Sequence, residues 1–147
     1  MNTVRDLLRY KPSEVWTIGP YATVFQALEL MAEKNIGALP VLQESKLVGV
    51  FSERDYARKC ILMGRHSKET RVLELMSAPV VTVDPSVTVD ECLEMMTDRK
   101  LRHLPVLESG QLTGIVTIGD IGKWIISEQR SAIKDLEGFI TGNSYAH

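Results

Sequence analysis

The chain repeats itself. Sliding the sequence along itself by 65 residues, the shift that carries Asp55 onto Asp120, aligns Val15 to Ile61 with Val80 to Ile126 without a gap. About a third of the aligned pairs are identical, among them Thr17 with Thr82, Pro20 with Pro85, Thr23 with Thr88, Leu28 with Leu93, Met31 with Met96 and Gly49 with Gly114. The segment Leu39-Pro40-Val41-Leu42 returns unchanged at Leu104 to Leu107. A repeat of this length outranks any local signal, because one structural solution must serve twice.

Each unit reads the same way from local physics. A β-branched stretch, Val15 to Ile18 or Val80 to Val83, predicts a strand ending at a turn with Pro20 or Pro85. A helix follows, opened by a capping box of Thr23 with Gln26 or Thr88 with Glu91. Val24, Ala27, Leu28 and Met31, and again Val89, Cys92, Leu93 and Met96, recur at helical spacing and so line one apolar stripe. Two strands come next, Ala38 to Leu42 with Leu47 to Ser52 and Leu104 to Leu107 with Leu112 to Thr117, joined by the polar turns Gln43 to Lys46 and Glu108 to Gln111. A last helix begins near Glu53 or Ile118. A unit of roughly 50 residues buries too little apolar surface to stand alone, so the two copies are expected to share their sheet faces in one folding domain.

The predicted organisation is a flanking segment 1–14, a first repeat 15–62, a linker 63–79, a second repeat 80–128 and a C-terminal helix and tail 129–147. Met63 to Arg71 is polar and aperiodic, as a surface linker would be. Its Arg65, Lys68 and Arg71, with Lys59 before them, read as solvated charge rather than a nucleic-acid patch. Val4, Leu7 and Leu8 predict a short N-terminal helix, and Ile133, Leu136 and Ile140 another after Ser131, stopped near Gly142. Each has one apolar stripe that needs a cover, from the core or from a partner, and self-association is the favoured expectation.

Composition narrows the function. The 147 residues carry a net charge of −2 and 44% hydrophobic side chains, giving a folded domain no general attraction to polyanions. No apolar run reaches the roughly 18 residues of a membrane span, and the polar start is unlike a signal peptide, so a cytoplasmic protein is expected. Cys60 and Cys92 sit on apolar helix stripes and read as small buried hydrophobes, without the spacing of a zinc site. His66, His103 and His147 are scattered, and no nucleophile, Walker loop or metal cluster is visible, so no enzyme is expected.

The repeat also keeps polar residues that packing does not require. Ser52-Glu53-Arg54-Asp55 and Thr117-Ile118-Gly119-Asp120 both follow a strand and open a helix. Free N–H groups at a helix start receive phosphate, a hydroxyl adds a hydrogen bond, and a carboxylate one turn on accepts the two hydroxyls of a ribose. The same spacing is also an ordinary helix cap. Where charge matters the units differ: Gly37 and Ala38 are matched by Arg102 and His103, and Arg54 by Gly119. Arg54, Arg102 and His103 are phosphate candidates, and Gly119 permits close backbone approach.

Together the proline turn, the LPV strand, the glycine of Val48-Gly49-Val50 or Thr113-Gly114-Ile115 and the Ser/Thr-x-x-Asp start resemble CBS domains, named after cystathionine β-synthase. The whole resembles a stand-alone Bateman pair, an α/β (α+β) fold in which two repeats pack about a pseudo-twofold axis and leave two clefts. The resemblance implies an adenosine nucleotide in the clefts, Asp55 and Asp120 on ribose, and Ser52 and Thr117 on phosphate. It also implies Thr17, Ala38, Leu39, Pro40, Ser77, Thr82, Val83, Leu104 and Pro105 around adenine. Ser52 to Lys59 (SERDYARK) and Arg102 to Pro105 (RHLP) are similar to a narrower two-repeat group, which makes AMP or NAD(H) the favoured ligand, with ADP or ATP possible. A homodimer regulating a partner protein is implied; the competing expectation is a structural adaptor with empty clefts.

Overall fold

The computed structural model describes residues 2–145, with side chains described for residues 2–138. Its elements are α1 (Val4–Leu8), α2 (Val24–Lys34), β1 (Ala38–Gln43), β2 (Lys46–Ser52) and α3 (Glu53–Tyr56), which runs on as a π-helical turn over Ala57–Ile61. A 3₁₀ turn at Ser67–Glu69 precedes α4 (Val72–Leu75), α5 (Val89–Arg99), β3 (His103–Glu108), β4 (Gln111–Thr117) and α6 (Ile118–Tyr145). The two hairpins β1–β2 and β3–β4 are antiparallel and have matching registers, each with an irregularity one residue after the proline-valine pair. Their turns are two residues long, shorter than the sequence suggested, with positive φ at Glu44 and Ser45 and at Ser109 and Gly110. That conformation carries the twist that a tight hairpin needs.

The predicted first strand of each unit is reduced to one parallel bridge, Ile18 to Val41 and Val83 to Val106. Proline explains this. The Ile18 N–H donates to the Pro40 carbonyl and the Leu42 N–H to the Ile18 carbonyl, and the next bonds on either side would need N–H groups from Pro40 and Pro20. Pro105 and Pro85 impose the same limit in the second half.

Two cores form, one per half, and each borrows a helix from across the sequence. Val4 and Leu7 of α1 pack with Val83, Val89, Cys92, Met96, Leu104, Val106, Val116 and Ile121 of the second repeat. Val72 and Leu75 of α4 pack with Val24, Ala27, Met31, Leu39, Val41, Phe51 and Cys60 of the first. The expected linker therefore crosses the surface only as far as Thr70, which is buried and donates its hydroxyl to the His66 carbonyl. The exchange is symmetric: Thr3 bridges Thr88 as Arg71 bridges Thr23. Leu8 covers Gly114 as Met76 covers Gly49, where an added Cβ would lie 3.0 and 2.4 Å from those side chains.

The expected separate C-terminal helix is instead the far end of α6. Between Ile126 and Ile133 there is no proline or glycine to stop a helix, and Gly138 and Gly142 lie within it. Ile126, Ile133 and Leu136 are exposed on it; the Ile140 side chain lies outside the described residues. In the first half the matching helix ends within three turns, where Gly64 takes positive φ. Among the described residues no helix is long and apolar enough to cross a membrane.

Candidate functional site

Asp55 is the anchor of the site. Ser52 ends β2 in extended backbone and caps α3, its hydroxyl accepting from the Asp55 N–H at 3.1 Å. Asp55 Oδ2 in turn accepts from the Ser52 N–H at 2.9 Å and from the Ser52 hydroxyl at 3.0 Å. Its Oδ1 accepts from the Ser77 hydroxyl at 3.0 Å and from Lys59 Nζ at 3.0 Å. The carboxylate is buried and held rigidly. One side chain thus serves both readings of the motif, closing the helix cap through Oδ2 and presenting Oδ1 to groups that line a cavity.

That cavity, about 380 Å³, opens between the two halves. Val50, Ser52, Arg54, Asp55, Arg58 and Lys59 line it from the first, Lys100, Leu101, Arg102 and His103 from the second, and Ser77, Pro79, Val80 and Val81 from the segment between. Five cationic side chains face one carboxylate there, so the cleft is built for an anion that also brings hydrogen-bond donors. Desolvation, aided by Arg102 beside it, holds the His103 imidazole below the usual histidine range. Arg54, Arg102 and His103 also line a smaller adjoining cavity with Gly37, Ser52, Glu53 and Ile118.

The pseudo-twofold arrangement explains the charge difference between the repeats. The helix start of one unit faces the LPV strand of the other, so Arg54 and Asp55 meet Arg102 and His103 in one cleft. Asp120 lines a different cavity, about 440 Å³, with Leu7, Tyr10, Lys11, Lys123, Trp124, Ser127, Glu128 and Ser131. The Thr117 N–H donates to Asp120 Oδ2 at 2.8 Å, and Thr117 Oγ1 accepts from the Asp120 N–H at 3.0 Å. Thr117 and Gly119 line neither cavity. A Cβ at Gly119 would meet only Thr117 Oγ1 at an ordinary 3.6 Å, so packing within the chain does not demand glycine there.

Of the residues expected around adenine, Ser77 lines the cleft. Ala38, Leu39, Pro40, Val83, Leu104 and Pro105 are buried, and Leu39 and Leu104 point wholly into the two cores. Thr17 and Thr82 are half-buried beside the parallel bridges and do not line the cleft. The walls are made instead by Pro79, Val80, Val81 and Leu101. Arg58 and Lys59 are not among the expected site residues, and Lys59, expected to be solvated charge, instead meets Asp55; the signal that could have found both is their spacing, three and four residues beyond Asp55 on its helix face. The basic side chains read as solvated linker charge have partners within the chain. Arg65 pairs with Glu74, Lys68 lies 4.7 Å from the Phe25 ring, and Arg71 donates to the Tyr21 carbonyl at 2.7 Å. Among the described residues no cluster of side chains is arranged to hold a metal ion.

This architecture, two exchanged strand-hairpin-helix units around a polar cleft, defines a tandem pair of CBS repeats. The CBS domain profile matches residues 4–61 and 72–127, and the chain belongs to that family. A mitochondrial CBS domain-containing protein of Arabidopsis thaliana is 37% identical over 125 residues, covering 82% of this chain and 61% of that protein. The solved structure of a protein with CBS domains from Burkholderia ambifaria superposes with a TM-score of 0.84 at 46% identity, covering 86% of this chain and 96% of the other. The CBS domain pair of protein MJ0100, solved with 5′-methylthioadenosine and S-adenosyl-L-methionine, matches at a TM-score of 0.76 and 25% identity, covering 87% and 98%.

Proposed function

We propose that the Asp55 cleft binds an adenosine nucleotide and that the chain is a regulatory, ligand-sensing module rather than a catalyst. The observation that carries this reading is the pairing of one buried carboxylate with Arg54, Arg58, Lys59, Lys100 and Arg102 in a single interdomain cleft. A ribose diol takes Asp55 Oδ1 from Ser77 and Lys59; the ammonium of Lys59, half-exposed and leaving Asp55 and the Leu75 carbonyl, then turns to the phosphate with the guanidinium groups of Arg54 and Arg102. The adenine rests against Val80, Val81 and Leu101. The solved methylthioadenosine complex supports an adenosine ligand for the fold. The cationic wall favours AMP or NAD(H), with ADP or ATP accommodated, over the uncharged or cationic sulfur nucleosides.

A ligand that touches both halves biases their relative orientation by its preference for one arrangement, which is how such a module controls a partner protein. The working form is a cytoplasmic homodimer. Calorimetric titration with AMP, ADP, ATP, NAD⁺, NADH and S-adenosylmethionine tests the reading. Saturable binding of AMP or NADH, weakening as salt rises, is expected. If none of the six binds at millimolar concentration, the clefts are empty and the chain is a structural adaptor.

A further inference from the structure

The halves treat their aspartates differently: Asp55 lines a cleft between the halves, whereas the cavity at Asp120 is walled by Leu7, Tyr10 and Lys11 with residues of α6. In the first half Ser77 makes two bonds: its N–H donates to the Val50 carbonyl at 2.8 Å and its hydroxyl to Asp55. The repeat carries Val50 and Asp55 onto Ile115 and Asp120. There one side chain satisfies both acceptors. The Lys11 ammonium lies 2.7 Å from the Ile115 carbonyl oxygen and 2.6 Å from Asp120 Oδ2. A lysine from the N-terminal segment therefore stands where a serine's backbone and hydroxyl stand in the other half, though on Asp120 Oδ2, the oxygen that also closes the helix cap, where Ser77 holds Asp55 Oδ1.

The exchange matters chemically. A neutral serine hydroxyl at the surface rotates aside and leaves its aspartate charged and able to accept. An ammonium held between a carboxylate and a carbonyl cancels the charge that a ribose diol would bind, and it leaves only by abandoning both acceptors. Lys59 is bracketed in the same way, by Asp55 Oδ1 at 3.0 Å and the Leu75 carbonyl at 3.1 Å, but both contacts are longer than those of Lys11 and its side chain is 44% exposed against 23%. Lys59 also stands among four further cations that hold a phosphate, whereas the Asp120 cavity offers only Lys123 beside Lys11, with Glu128 opposing them.

Resting on the nucleotide reading of the Asp55 cleft, we propose that Lys11 is a built-in plug at Asp120, so that each chain holds one adenosine nucleotide, in the Asp55 cleft alone. The test is AMP titration of the full chain and of Lys11→Met, followed by calorimetry and by the indole N–H resonance of Trp124, which lines the Asp120 cavity. Trp16 is the only other tryptophan, so Trp16→Phe assigns the signal. One AMP per chain with a still Trp124 signal is expected for the parent, and two per chain with a saturable Trp124 shift for Lys11→Met. Adding Asp55→Ala to each should abolish binding in the parent and leave one site in Lys11→Met. Two AMP per parent chain, or a Lys11→Met protein that stays at one, overturns the plug and leaves the nucleotide reading standing. Absence of AMP binding in both proteins overturns the two together.

Discussion

Replacing Asp55 by alanine separates the structural role of the site from its binding role. In the free protein the substitution removes the return half of a capping box and leaves the Ser52 N–H without its 2.9 Å acceptor. The Ser52 hydroxyl still caps the helix through the backbone N–H at position 55, so the cost is that of stranding the half-buried Ser52 N–H and losing the Ser77 bond, about 2 kcal/mol together. The Lys59 pair adds little, because the lysine is half-exposed and keeps its bond to the Leu75 carbonyl. A loss of about 2 kcal/mol lowers Tm by roughly 6 °C in a chain of this size. In the presence of nucleotide at about 100 times its Kd the parent gains about 2.7 kcal/mol, roughly 8 °C. Two ribose hydroxyls donating to a carboxylate are worth about 1.5 kcal/mol each, so Asp55→Ala should weaken AMP by more than about 100-fold and lose that gain. Asp120→Ala, which strands the Thr117 N–H in the same way, should lose stability but keep the full AMP-induced rise. Thermal unfolding with and without AMP reads both effects. An Asp55→Ala protein whose Tm rises with AMP as far as the parent's would refute the assignment.

Other outcomes follow from single contacts. Gly49→Ala places a Cβ 2.4 Å from Met76 Sδ and 3.2 Å from the Ser77 carbonyl; urea unfolding should show a loss of about 1–3 kcal/mol, partly restored by Met76→Ala. His103 has a lowered pKa in the folded chain, so its neutral form contributes stability above the usual histidine pKa near 6.5. That contribution is lost as pH falls through the lower folded value. A bound phosphate reverses the preference, so NAD⁺, whose diphosphate does not titrate in this range, should bind more tightly at pH 6 than at pH 7.5, with proton uptake in calorimetry, and His103→Gln should flatten the profile. Burial pushes the Cys92 thiol up to about 11, and Cys60 is equally hidden; iodoacetamide at pH 8 should label neither until the protein unfolds.

Much of this was legible before any coordinates, for identifiable reasons. The helix stripes and capping boxes are local, so Thr23, Thr88 and the buried Val24, Met31, Val89 and Met96 could be read from spacing. The duplication placed Asp55 and Asp120 at equivalent helix starts. What could not be read is non-local. The exchange of α1 and α4 between halves escapes the 65-residue alignment because Val4 and Val72 are 68 residues apart, the first connection being three residues longer. The residues expected around adenine were placed by resemblance, yet strand alternation turns Leu39 and Leu104 into the cores. The asymmetry of the sites depends on Lys11, one of three cations in the N-terminal segment with Arg5 and Arg9, which only the third dimension singles out by bringing it to Asp120.

The most direct measurement is a crystal structure of the chain grown with AMP. The account predicts nucleotide density between the halves, with the ribose hydroxyls on Asp55, the phosphate against Arg54 and Arg102, and Lys11 still on Asp120. Density at Asp120 with the Asp55 cleft empty, or a nucleotide whose ribose faces away from Asp55, would contradict it.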